Sequence, residues 1–236
     1  LSAGYPILAV KTCEPERAQK EILQEIFDAQ YENECERHQC FSWNILSGIV
    51  HWHKVLKCSK CGSEYISTDI AEHDGKRYCP NDNEELTEKE FAVSQSKQPS
   101  DNEKYPPGIF PLHWLQAEAN NIALLLWNYH KYLVPNNIEI IQALQNYRDH
   151  WKQRGKVAIL LVPDIDIVKE LDKSITIIDF NLPSGNEIET VLECLARGNN
   201  MEIGSGEEKH ILVNAASGLT LFEAENAFAL SHEINT

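Results

Sequence analysis

Hydrophobic positions along the chain follow two different periods. Unbroken apolar runs recur at Pro6–Val10, Ile122–Trp127, Val157–Val162 and Ile175–Phe180. Runs of this length, each followed by polar or turn residues, predict strands buried on both faces of a parallel sheet. Phe41–Leu46 reads as another strand, with Ile49–Trp52 as its extension. Between the runs the spacing changes. Ala18, Ile22 and Ile26 recur every fourth residue beside Leu23 and Phe27, which makes one helix face. Thr12 stands where a cap belongs, and Pro15 fits the first turn. A second helix is predicted over Asn137–Gln153, from Ile138, Ile141, Leu144 and Tyr147, with Gly155 as its C-terminal cap. Ser184-x-x-Glu187 and Thr220-x-x-Glu223 are capping boxes. The first opens a helix to Arg197 with Gly198 behind it, and the second opens the last helix; a Gly-rich connection over Met201–Glu208 and a short helix over His210–Ala216 lie between.

Alternating strands and helices predict an α/β fold around a mostly parallel sheet of about five strands, joined by right-handed crossovers. The core is expected in residues 1–53 and 109–183, and residues 184–236 are expected as a small helical appendage. Residues 54–91 are more polar and rich in turn signals, which marks an inserted module; the Ser, Gln and Pro content of 92–108 reads as a linker.

Composition narrows the function classes. The formal net charge is −15, which argues against general affinity for nucleic acid or anionic membrane. No apolar run reaches the roughly 18 residues of a membrane span, and the first residues lack the pattern of a signal peptide, so a cytoplasmic chain is expected. The absent initiator Met suggests a fragment or a processed chain.

The seven cysteines are at 13, 35, 40, 58, 61, 79 and 194. Their odd number and uneven spacing suit reduced thiols with a subset on metal, a disulfide framework being the alternative. Cys58-x2-Cys61 and Cys79-x2-Asp82 are separated by 17 residues, the spacing of two zinc-ribbon knuckles. Three thiolates and the Asp82 carboxylate would close a tetrahedron on Zn²⁺, and Gly62 permits the left-handed turn of a knuckle. His73, between the knuckles, is the alternative fourth ligand, and a water or a lost metal is the remaining reading. A zinc with four protein ligands has no open position for substrate, so its role is structural. A second cluster, Cys35, His38, Cys40, His51 and His53, lacks a usual ligand spacing and is expected to be ordinary side chains.

A phosphate-binding loop would place Gly-x4-Gly-Lys-Ser/Thr after the first strand; the chain instead reads Lys11-Thr12-Cys13-Glu14-Pro15-Glu16-Arg17. Together with Tyr5–Thr12 and Glu14, Glu16 and Arg17, the segments Val157–Pro163, Ser174–Pro183 and Gly218–Phe228 resemble the N-terminal half of the AAA-type ATPases encoded as a conserved open reading frame in plastid and cyanobacterial genomes. The resemblance covers most of 1–53 and 109–236 and leaves out the cysteine module. It implies a degenerate nucleotide-binding domain with a RecA/AAA-like core and a C-terminal helical lid. ATP and Mg²⁺ would belong only to an active module following it, and the chain would pack on that module or on copies of itself. No catalytic residue is carried over. On this reading the chain is a non-hydrolysing regulatory or assembly domain, with the ribbon contacting a protein partner. The alternative is a zinc-ribbon adaptor binding nucleic acid or protein, using Lys54, Lys57, Lys60, Lys76 and Arg77. A further reading is an enzyme built on Asp164, Asp166 and Asp179 at strand ends.

Overall fold

The computed structural model describes residues 4–32, 38–73, 76–97, 105–199 and 206–235. The chain folds as two compact units, Leu1–Asp179 and Phe180–Thr236.

Five parallel strands form the centre of the first unit. They are β1 (Ile7–Lys11), β2 (Gln39–Asn44), β8 (Ile122–Trp127), β9 (Val157–Val162) and β10 (Thr176–Asp179), in the order β10-β1-β9-β8-β2. Leu8 pairs with both Ile159 and Thr176, so β1 is flanked on each side, as its apolar sequence requires. β8 and β9 are buried almost throughout, because both sheet faces are covered. Helix α1 (Pro15–Glu32) carries the chain from β1 to β2 on one face; α2 (Phe110–Ala117) and α3 (Ile138–Gln153) cover the other. That second face holds the largest core, where Ile7, Ala9, Phe41, Trp43, Leu124, Leu126 and Leu160 meet Leu112, Leu115, Leu144 and Trp151. Their alternation along each strand is the period-two signature of one sheet face.

Helix α3 ends as its sequence predicts. Gly155 has φ +62°, and a Cβ there would lie 2.2 Å from the Asn121 side-chain oxygen. Next to it Lys156 is buried, and its ammonium donates to the carbonyls of Leu115, Gln116 and Glu118 at 2.8, 3.0 and 2.7 Å. A cation on the orphan carbonyls at the end of α2 satisfies acceptors that no helix can satisfy itself.

The pattern differs from expectation at three places. Ile49–Trp52 does not extend β2. A turn at 45–47, held by the Asn44 side chain on the N–H groups of Leu46 and Ser47, reverses the chain into a separate antiparallel strand, β3 (Gly48–Cys58). The segment expected as a linker begins as strand: β7 (Leu86–Lys97) runs antiparallel to β3 for its whole length. Backbone pairing with an existing edge supplies those hydrogen bonds whatever the side chains; residues 98–104 lie outside the described ones. Helix α2 was also not legible, because it is short and mostly apolar, with only His113 and Gln116 to mark a polar face.

β7 occupies one side of β3. The other side pairs first with β2 and then, at Val55–Lys57, with β4 (Glu64–Ile66). The polar module therefore grows from the sheet as the end of a long hairpin. β5 (Glu72–His73) and β6 (Lys76–Arg77) form a second small sheet there.

The second unit is helical: α4 (Gly185–Asn199), α5 (Gly206–Ala215) and α6 (Leu221–Asn235). Ile188, Leu192, Val213, Ala216, Ala224 and Phe228 form its core. Both capping boxes are present. The Glu187 carboxylate accepts from the Ser184 N–H at 2.8 Å, and that of Glu223 from the Thr220 N–H at 2.9 Å. Helix α5 starts four residues before His210, with Glu207 and Glu208 in its first turn, where the helix dipole favours acids.

Candidate metal centre

The end of the β3–β7 hairpin brings Cys58, Cys61, Cys79 and Asp82 together, with one ligand atom from each lying within 4.8 Å of all the others. Cys58 is the last residue of β3, and Cys79 follows β6 by two residues. The two knuckles are built alike. The Cys58 N–H donates to Ser63 O at 2.9 Å and the Gly62 N–H to Cys58 O at 3.0 Å. In the second, the Cys79 N–H donates to Glu84 O at 2.8 Å and the Asn83 N–H to Cys79 O at 2.9 Å. Four residues past each first cysteine the backbone turns left-handed, with φ +73° at Gly62 and +58° at Asn83. Sequence reasoning found Gly62 and missed Asn83. The available signal was the equivalent position four residues past Cys79, filled by the residue type that tolerates this region best after glycine.

The spacing of donor atoms fits a tetrahedral ion. Bonds of about 2.3 Å to sulfur at tetrahedral angles separate two sulfurs by about 3.8 Å. Cys61 Sγ and Cys79 Sγ are 3.6 Å apart, and Cys58 Sγ lies 3.4 Å from Asp82 Oδ1. All three thiols are free. The N–H of Cys61 favours a Cys58 thiolate, but burial and the neighbouring thiols of Cys61 and Cys79 prevail and push the Cys58 thiol up to about 11. Hydrogen bonds with Ser63 hold the Cys61 thiol below its usual value. A dication at the centre of the group would reverse the balance and ionise all three thiols. These four residues can hold a metal ion. His73 lies exposed on β5 and outside the group.

Among the described residues, Leu56, Cys58, Cys79 and Leu86, with Tyr65 and Ile70 against them, make up the hydrophobic cluster around the group. A cluster of that size cannot fold a module by itself, so a bound ion would contribute its folding energy.

The other sequence-predicted residues are placed differently. His51 and His53 share a face of β3 with ring centroids 4.0 Å apart, and His51 stacks on Phe41 at 4.1 Å. Cys40 is buried, while Cys35 falls outside the described residues; among the described residues this cluster gathers no metal-ligating set. Three of the five cations expected to make the ribbon basic are engaged or buried. Lys54 is buried against Asp28 at 3.1 Å, Lys76 pairs with Glu85 at 2.7 Å, and Arg77 is buried. At the carboxyl ends of the parallel strands Lys11 pairs with Asp164 at 2.9 Å. The β1–α1 connection is only Thr12-Cys13-Glu14. The Thr12 hydroxyl accepts from the Glu14 N–H at 2.9 Å, and the Glu14 carboxylate holds Arg17 at 3.1 Å. A cavity of about 590 Å³ between α1 and the sheet, walled by Trp52, Phe91 and Trp127, was not legible in the sequence. Both its indole N–H groups have protein acceptors, Ser42 for Trp52 and Gln19 for Trp127.

Residues 89–180 match the family model described as SpoVK-like AAA ATPase, N-terminal domain. The match begins within β7 and ends one residue past β10, so it includes β8, β9 and β10 and excludes the cysteine group. It supports an AAA-type ATPase N-terminal domain in this part of the chain. Relatives named Cysteine-rich protein 1 in Mus musculus, Homo sapiens and Bos taurus are 41% identical to the chain over 46 residues, 19% of this chain and 60% of each relative. The chain thus spans about three fifths of the length of these relatives. Among the described residues no helix is long and apolar enough to cross a membrane.

Proposed function

We propose that this chain is a non-hydrolysing regulatory or assembly domain of an AAA-type ATPase, carrying a structural zinc ribbon that contacts a protein partner. The β1–α1 connection carries this reading. Phosphate binding at that position needs a run of free backbone N–H groups and a lysine pointing at the ligand. Here three residues join strand to helix, the Glu14 carboxylate is held there by Arg17, and Lys11 is directed to Asp164. An acidic group at the helix start repels phosphate, and its ion pair fills the electrostatic role that a nucleotide would take. The family match over 89–180 favours the AAA-type assignment. The plastid and cyanobacterial resemblance is its narrower form, in which ATP and Mg²⁺ act in a separate active module.

For the ribbon, the tetrahedral spacing of three sulfurs and a carboxylate favours zinc, and the name of the relatives agrees with a cysteine-based module. Four protein ligands leave no position for a substrate, so the ion would fix the hairpin end and present it to a partner. With Lys54, Lys76 and Arg77 engaged or buried, a protein partner suits that surface better than nucleic acid.

The test is nucleotide turnover by the purified chain. We expect no ATP hydrolysis above buffer at saturating Mg-ATP, and none gained by Glu14→Ala. Turnover that is lost on Lys11→Ala would contradict the proposal.

A further inference from the structure

Two of the three sulfurs have hydrogen-bond partners from within their own knuckle. The Cys61 N–H points at Cys58 Sγ from 3.5 Å, and the Ser63 hydroxyl lies 3.3 Å from Cys61 Sγ. The third does not. Cys79 Sγ is met at 3.3 Å by the hydroxyl of Tyr65, which sits on β4, after the first knuckle. The same hydroxyl accepts the side-chain amide of Asn81 at 3.0 Å, which lies inside the second knuckle. An amide NH₂ can only donate, so the phenol oxygen accepts there and its own proton is left for the sulfur. A metal-bound thiolate carries no proton and can only accept, which fixes the same direction. Tyr65 is half-buried and packs on the cluster that holds Cys58 and Cys79, so its ring is oriented by packing as well as by Asn81.

We propose that Tyr65 is a positioning residue of the metal centre, its hydroxyl donating to the Cys79 thiolate under the direction of Asn81. This rests on the metal reading above. The hydrogen bond ties the second knuckle to the strand that leaves the first, through β4 paired on β3 at Leu56–Tyr65. It also spreads the charge of a centre that would carry three thiolates and a carboxylate around one dication. Outer hydrogen-bond partners of metal ligands typically change affinity 10- to 100-fold, and here the donor comes from an element that the cysteine pattern does not contain.

The test uses the full chain loaded with Co²⁺ or Zn²⁺, comparing wild type with Tyr65→Phe, which keeps the ring and removes the donor. Removing a hydrogen bond raises the energy of the thiolate electrons. The sulfur-to-cobalt charge-transfer band of Tyr65→Phe should therefore move to lower energy. Competition with a chromogenic chelator should show zinc held about 10-fold less tightly. A band and affinity equal to wild type would overturn the role of Tyr65 while leaving the metal centre standing. A wild-type chain that takes up neither ion would refute the metal reading itself. If Tyr65→Phe takes up no cobalt, Asn81→Leu decides: a shift of its band in the same direction supports the proposal, and an unmoved band overturns it.

Discussion

At residue scale, the groups that matter most are buried polar ones with a defined set of partners. Lys156 is the clearest. Its three carbonyl acceptors close the end of α2, and Lys156→Met would leave them without a donor in a dry site. Each unsatisfied buried acceptor is destabilising, and the variant should lose about 1–3 kcal/mol. A urea transition followed by tryptophan fluorescence checks this, since Trp114 and Trp151 are buried in the adjoining core. An unchanged midpoint would contradict the capping role. His51 gives a pH dependence. Burial, and secondarily His53, pushes its pKa from 6.5 down to about 4. The folded chain thus holds the imidazole neutral where the unfolded chain would charge it. Stability is full above pH 6.5 and falls as pH drops from 6.5 through about 4. Acid also competes with a metal for the thiols, so the expected measurement is a difference: His51→Phe should lose less stability between about pH 7 and 5 than wild type. Neither role was visible in the sequence. A lysine after a helix-ending glycine reads as a solvated charge, and the stack of His51 on Phe41 depends on a strand register that a single residue shift would reverse.

At the scale of elements, the strands were the most legible part. Ile122–Trp127 and Val157–Val162 are apolar throughout because parallel strands are covered on both faces, and the same burial writes the signal and makes the strand. The capping boxes at Ser184 and Thr220 were equally legible, because they are local chemistry; Thr220→Ala should destabilise the helical unit by about 1 kcal/mol, measurable by thermal unfolding of the chain. The hairpin was legible only in part. The spacing of Cys58, Cys61, Cys79 and Asp82 suggests a group that could hold a metal, with His73 as the rival to Asp82, and the structure brings these four together. Nothing in the sequence says that β3 and β7 continue the sheet into it. That continuity predicts which residues depend on metal. Chelation, or Cys58→Ser, should remove amide protection between Cys58 and Leu86, leaving β1, β8 and β9 protected in hydrogen exchange. The β3–β7 pairs from Ile49 to Lys54 should stay protected with the sheet. Loss of protection across the whole sheet would contradict a local metal-dependent module.

At the scale of the whole molecule, two kinds of order combine: a sheet stabilised by apolar burial, and a hairpin end whose small cluster, among the described residues, is proposed to be completed by an ion. The first is expected to persist without nucleotide, because the β1–α1 junction is closed by its own ion pairs. On the proposed function, the second is the part that meets a partner, and its order is expected to depend on a metal. Zinc content per chain, measured by native mass spectrometry on protein prepared without chelator, is therefore the decisive measurement. One zinc per chain is expected in the wild type and none in a Cys58→Ser, Cys79→Ser double variant. A metal-free wild type with Cys58–Leu86 still protected in hydrogen exchange would contradict a metal-dependent hairpin end.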